Sequence, residues 1–80
     1  MSNLIKMERI VINPKIMHGK PVIKGTRVPV DVILGSLVGG MSYEEVEKEY
    51  GVKRADVIAA IEYAAKFVMG EEVKPLNIKA

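Results

Sequence analysis

Apolar and polar positions change rhythm twice along this chain. Arg9 to Ile12 reads Arg-Ile-Val-Ile, a β-branched run stopped by Asn13-Pro14, which predicts a short strand closed by a turn. Pro21-Val22-Ile23 and Arg27-Val28 are again extended in character, and Lys24-Gly25-Thr26 between them suits a tight turn. The first third is therefore expected to form a small hairpin or paired arm. A lone two-stranded ribbon is marginal in water, so the arm must lean on something else.

After Pro29 the rhythm turns helical. Pro29 can open a helix because its missing N–H falls among the unpaired donors of the first turn, and Asp31 stands where the helix dipole favours an anion. Val30, Ile33, Leu34, Leu37 and Val38 follow the spacing of one apolar face, which Gly39-Gly40 ends. Ser42 and Glu45 then form a capping-box pair, with Met41 and Val46 in the staple positions. Gly51 supplies a left-handed exit after which Val52 can fold back on Val46, predicting a short second helix over Tyr43 to Tyr50. A third helix is expected from Arg54 to Met69, closed by Gly70. Its main stripe is Val57, Ile58, Ile61, Ala64, Ala65 and Val68, with Ala60, Tyr63 and Phe67 in a second strip and Glu62 and Lys66 on the wet side. Residues 71–78 carry no helical period. The expected architecture is mainly α, with an N-terminal β-arm over 1–28, a three-helix bundle over 29–70 and a tail over 71–80.

Composition narrows the chemistry. Eighty residues, 49% hydrophobic and 28% charged, suit one small domain with a thin core. There is no cysteine to form a disulfide or hold zinc, and the sole histidine, His18, lacks partners for a metal cluster or a Ser-His-Asp triad. No enzymatic activity, cofactor or metal site is expected. His18, beside Gly19, is expected to hydrogen-bond a carbonyl in its turn. Apolar runs such as Val32-Ile33-Leu34, broken by Gly35, fall far short of the ~20 residues of a membrane span. MSNLIKMERI at the N-terminus holds no apolar signal region, so a cytoplasmic location is expected. Valine and isoleucine make up a quarter of the chain, glutamine and tryptophan are absent, and lysine and glutamate abound, a bias that fits a heat-loving source.

The net charge of +2 hides an asymmetry. Residues 1–27 hold Lys6, Arg9, Lys15, Lys20, Lys24 and Arg27 against Glu8 alone, giving +5, whereas residues 28–80 hold six basic and nine acidic residues, giving −3. A basic arm suggests phosphate contacts, and a solvated surface is the plainer alternative. Lys20, Lys24 and Arg27 are the candidate phosphate grips. Equally, Arg27 could pair with Asp31 one turn on and merely staple the arm. Gly19-Lys20 and Gly25-Thr26 lack the order of a phosphate-binding loop.

Helix, short capped helix, glycine turn and longer helix is also the order of a helix-turn-helix unit. Its third helix would present Lys53 and Arg54 to a groove, where arginine pairs bidentately with guanine or phosphate. Against that, any three-helix bundle needs short turns. Glu44, Glu45, Glu47 and Glu49 make the bracing helix acidic, which repels phosphate, and Asp56, Glu62 and several alanines leave few side chains to read bases. Tyr63 and Phe67 are expected to pack on the arm or on a second copy of the chain, because so small a monomer rarely leaves aromatics bare.

The run Gly19-Lys20-Pro21-Val22-Ile23-Lys24-Gly25-Thr26-Arg27-Val28-Pro29-Val30 resembles the signature of domain-of-unknown-function family four-thirty-three. Gly40-Met41-Ser42-Tyr43-Glu44-Glu45, Tyr50, Asp56-Val57, Ala60, Tyr63 and Ala64 follow in matching order, so the likeness spans Arg9 to Phe67. That resemblance implies a homeodomain-like helix-turn-helix fold with a strand arm. It further implies a VapB-like antitoxin: a non-enzymatic, cytoplasmic regulator that binds operator DNA as a homodimer and holds a PIN-like nuclease toxin. A basic partner covering Glu44, Glu47 and Glu49 would then strengthen DNA binding. The rival expectation is a protein-interaction module that binds a partner without DNA, and a more distant one is an RNA-binding accessory protein. Two departures stand out. Asn13 precedes Pro14 where many relatives have aspartate, and Lys53-Arg54 stands where many have a Ser or Thr cap.

Overall fold

The computed structural model describes residues 9–15, 17–70, 73 and 76. The eight residues before Arg9, position 16, and all but two positions of the aperiodic tail lie outside them. Strand β1 (Ile10–Ile12) and strand β2 (Pro21–Ile23) pair antiparallel, with Val11 opposite Val22. The chain then runs through α1 (Val30–Val38), α2 (Tyr43–Tyr50) and α3 (Arg54–Met69). The architecture is thus a three-helix bundle carrying a short two-stranded ribbon.

The loop between the strands turns on two local devices. Asn13 accepts the Lys15 N–H through its side-chain carbonyl at 2.9 Å, the Asx turn that an aspartate would also make. The departure at position 13 therefore leaves the turn intact. A single 3-10 turn follows at Met17–Gly19, where His18 adopts the left-handed conformation at φ 57°. Among the described residues no hydrogen bond engages the His18 side chain, so the expected bond to a turn carbonyl does not form.

The ribbon leans on the bundle by contributing to its core. Val22 and Ile23 are buried, and Ile23 joins Val30, Ile33, Val46, Val52, Val57 and Ala60 in one continuous cluster. Most of these residues are β-branched, so each side chain enters the core with little rotamer freedom left to lose. Leu34, Leu37, Met41, Tyr50, Ile61 and Tyr63 close the cluster from its edges. Where α1 meets α2, the Ser36 and Tyr50 hydroxyls share a hydrogen bond of 2.7 Å.

The helix ends follow the capping chemistry of the sequence. At α2 both halves of the capping box form: Glu45 N–H donates to Ser42 Oγ at 3.0 Å, and Ser42 N–H donates to Glu45 Oε1 at 2.8 Å. Gly51 leaves the helix at φ 67°, and Val52 N–H reaches back to the Glu47 carbonyl at 3.2 Å, the six-to-one bond of a Schellman end. At α3 only half a box exists. Lys53 has no side-chain acceptor to offer, but Asp56 returns a bond, accepting Lys53 N–H at 3.0 Å.

Some apolar positions lie elsewhere than periodicity predicts. Val38 and Val68 belong to predicted core stripes yet are both 88% exposed, and Phe67 is 79% exposed. Val57, Ala60 and Ala64 share the α3 face that continues into Phe67 and Val68, and its inner part packs on α1 and α2. The last turns of α3 overhang that core. Ala59, outside both predicted strips, is buried, and β1 packs on α3 as well.

Candidate nucleic-acid interface

The turn from β2 to α1 carries two of the candidate cations, and its backbone explains why the sequence there is Gly-Thr. Gly25 sits at φ 81°, in space that would admit a Cβ, so the glycine serves the backbone conformation and not a close contact. Thr26 draws the turn shut, its Oγ1 donating to the Ile23 carbonyl at 2.7 Å and accepting Val28 N–H at 2.9 Å. Ile23 N–H then donates to the Val28 carbonyl at 3.0 Å, which holds the returning chain against β2. Lys24 and Arg27 are left at the two ends of this loop with exposed side chains.

The expected pairing of Arg27 with Asp31 is not made. Asp31 is instead taken by Lys20, whose Nζ lies 3.2 Å from Asp31 Oδ2. The reason is topological: the chain after the Lys24–Thr26 turn folds back antiparallel on β2, with Val22 bridged to Pro29 and Ile23 bonded to Val28, which brings the residue before β2 to the start of α1. Both side chains are well exposed, so the pair contributes little to stability.

Arg9 links this loop to the helical unit. The Arg9 carbonyl accepts Lys24 N–H at 2.8 Å, while its Nη1 donates to Asp56 Oδ1 at 2.9 Å. Asp56 thus serves two partners, the Arg9 guanidinium and the Lys53 N–H at the start of α3. Its side chain is only 13% exposed, which corrects the sequence-based view of Asp56 as a solvent-facing charge on the reading helix. One arginine therefore fastens the Lys24 end of the arm beside the first turn of α3. No local pattern announces a pairing with a residue 47 positions away.

Arg54 faces the other way. Its Nε donates to Glu47 Oε2 at 2.7 Å, and its guanidinium lies over the Tyr43 ring, 5.0 Å from the centroid, within cation–π range. The hydrogen bond to Glu47, with added charge from Glu47 and Glu44, raises the guanidinium above its ordinary pKa. Of the five candidate cations, Lys20 and Arg54 are engaged by carboxylates. Among the described residues no ion pair engages the Lys24, Arg27 or Lys53 side chains.

The candidate interface aromatics divide as well. Tyr63 is half-buried at the edge of the core, while Phe67 meets it edge to face at 5.6 Å and 74° and is otherwise open to solvent. No helix among the described residues is long and apolar enough to cross a membrane.

A bundle of three helices with a core-bound β-ribbon and a basic turn is the class these features define. The chain belongs to the DUF433 family, described as a protein of unknown function, whose model matches residues 10–64. Over 25 residues it is 72% identical to an uncharacterized protein of Archaeoglobus fulgidus, a match covering 31% of this chain and 69% of that relative. Its fold is similar to the crystal structure of Rv2018 from Mycobacterium tuberculosis, with a TM-score of 0.60 and 33% identity over 65% of this chain. The chain spans only 24% of that longer protein.

Proposed function

We propose that this chain is an antitoxin-type transcriptional regulator that binds DNA as a homodimer and holds a PIN-like nuclease toxin. The observation that carries the DNA reading is the Arg9 bridge, which docks the Lys24–Arg27 loop beside the first turn of α3. Lys53 at that turn and Lys24 and Arg27 on the loop are the cations free to meet phosphate. Lys20 and Arg54 must first leave Asp31 and Glu47. In a two-fold dimer, two copies of α3 would meet successive major grooves about 34–36 Å apart, so an inverted repeat in the chain's own promoter is the expected target. The overhanging end of α3, with Phe67 on the continuation of the core face, is where a second copy would pack.

A second reading, a protein-interaction module without DNA binding, draws support from the acidic surface of α2 and from the same apolar overhang. A gel-shift titration on the native promoter, with and without the neighbouring gene's product, separates the two. Replacing Lys24 and Arg27 by alanine should weaken all sequences alike and flatten the salt slope, whereas Lys53→Ala should also reduce discrimination between sequences. No shift of that promoter under either condition would overturn the DNA reading and leave the interaction module.

A further inference from the structure

Arg54 opens the helix that the proposed function presents to DNA, yet its side chain turns back across the Gly51–Lys53 turn to α2. Both groups that hold it, Glu47 and Tyr43, belong to that acidic helix, and Glu44 adds its charge nearby. A carboxylate presents to a guanidinium the same acceptor geometry as a phosphate. The site an arginine would seek on DNA is thus already imitated within the chain. At 56% exposure the Arg54 side chain remains on the surface, so the contact is weak enough to exchange.

We infer that Glu47 and Tyr43 form an autoinhibitory latch that occupies Arg54 in the free protein and must release it before that side chain can reach a DNA phosphate or base. The inference rests on the helix-turn-helix reading. Free protein then binds DNA through Lys53, Lys24 and Arg27 alone, below the affinity its charge would allow. Any contact that neutralises Glu47 adds Arg54 to the interface. The turn itself is held by the Val52 N–H bond to Glu47 O and by the Asp56 cap, neither of which involves the Arg54 side chain, so release needs a rotamer change and no movement of helices.

Fluorescence anisotropy on a labelled promoter duplex at about 0.15 M salt tests the latch, since screening there suppresses the bulk effect of one charge on an exposed face. Glu47→Ala should tighten binding about two- to fivefold, the scale of an exposed ion pair. Glu49→Ala removes the same charge from the same helix without touching the latch and should gain less than about twofold. In an Arg54→Ala background the gain from Glu47→Ala should fall to the Glu49→Ala level, because the coupling between the two positions is what the cycle isolates. An equal gain from Glu47→Ala and Glu49→Ala, or a Glu47→Ala gain that survives loss of Arg54, overturns the latch while leaving DNA binding intact. If neither wild type nor Glu47→Ala binds any duplex, the latch and the helix-turn-helix reading fall together.

Discussion

Truncating Phe67 to alanine separates two roles that an exposed aromatic on a small domain can have. In the isolated chain the ring is 79% exposed and has Tyr63 as its edge-to-face neighbour. Loss of that aromatic pair costs about 0.5–1.5 kcal/mol, and alanine recovers about half a kcal/mol through its better helix propensity. The monomer should therefore lose no more than about 1 kcal/mol. In a two-fold dimer each ring instead becomes buried, and burying a phenylalanine side chain is worth about 1.5–3 kcal/mol. Two rings per dimer put the cost at about 3–6 kcal/mol, or roughly a hundredfold to ten-thousandfold in the dissociation constant. Sedimentation equilibrium over micromolar concentrations reads that change directly, and urea melts at two protein concentrations read it through mass action. The expected result is a dimer that falls apart and a midpoint that loses its concentration dependence. A wild-type mass near the 8.8 kDa monomer across that range would refute the dimer. A loss of 3–5 kcal/mol independent of concentration would mean that the ring is buried within the monomer.

Two further predictions concern the bundle itself. Ser42→Ala should destabilise by about 0.5–2 kcal/mol, because Glu45 N–H loses its acceptor at the start of α2; an unchanged urea midpoint would mean the box contributes nothing. Ile33→Ala, at a position fully buried in the shared core, should cost about 2–5 kcal/mol and also weaken the ribbon, so that exchange of the Ile23 amide speeds up with the global transition.

Local chemistry made most of this fold legible. The helix ends at Ser42, Gly51 and Gly70 follow from residues whose side chains or backbones satisfy helix termini within a few positions. The strands were readable from β-branched runs, and Lys24-Gly25-Thr26 from its turn chemistry. What escaped was long-range. Periodicity shows which residues share a face of α3 but not where the covering elements stop, so Val68 read as core although the bundle ends before it. Ion pairing escaped for the same reason. Lys20 reaches Asp31 only because the chain before α1 folds back on β2, and Arg9 reaches Asp56 only because β1 packs on α3. At the candidate interface, residue type marked Lys24, Arg27, Lys53 and Arg54 alike. Nothing in the sequence distinguished the three open cations from the one Glu47 holds.

The burial of Val22 and Ile23 in the bundle core changes the thermodynamic character expected of any contact made by the loop that follows them. Arms that are disordered when free gain affinity only after paying the ordering entropy on binding. Here the backbone from Lys24 to Val28 is already fixed by Thr26 and by the pairing of Ile23 with Val28, so only the Lys24 and Arg27 side chains remain to be immobilised, at about 0.5–1.5 kcal/mol each. Association through this loop should accordingly show little heat-capacity change from folding, in contrast to arms that order on their target. The same rigidity limits the loop's choice of partner. It can meet only surfaces whose anions already match the spacing that Gly25 and Thr26 impose.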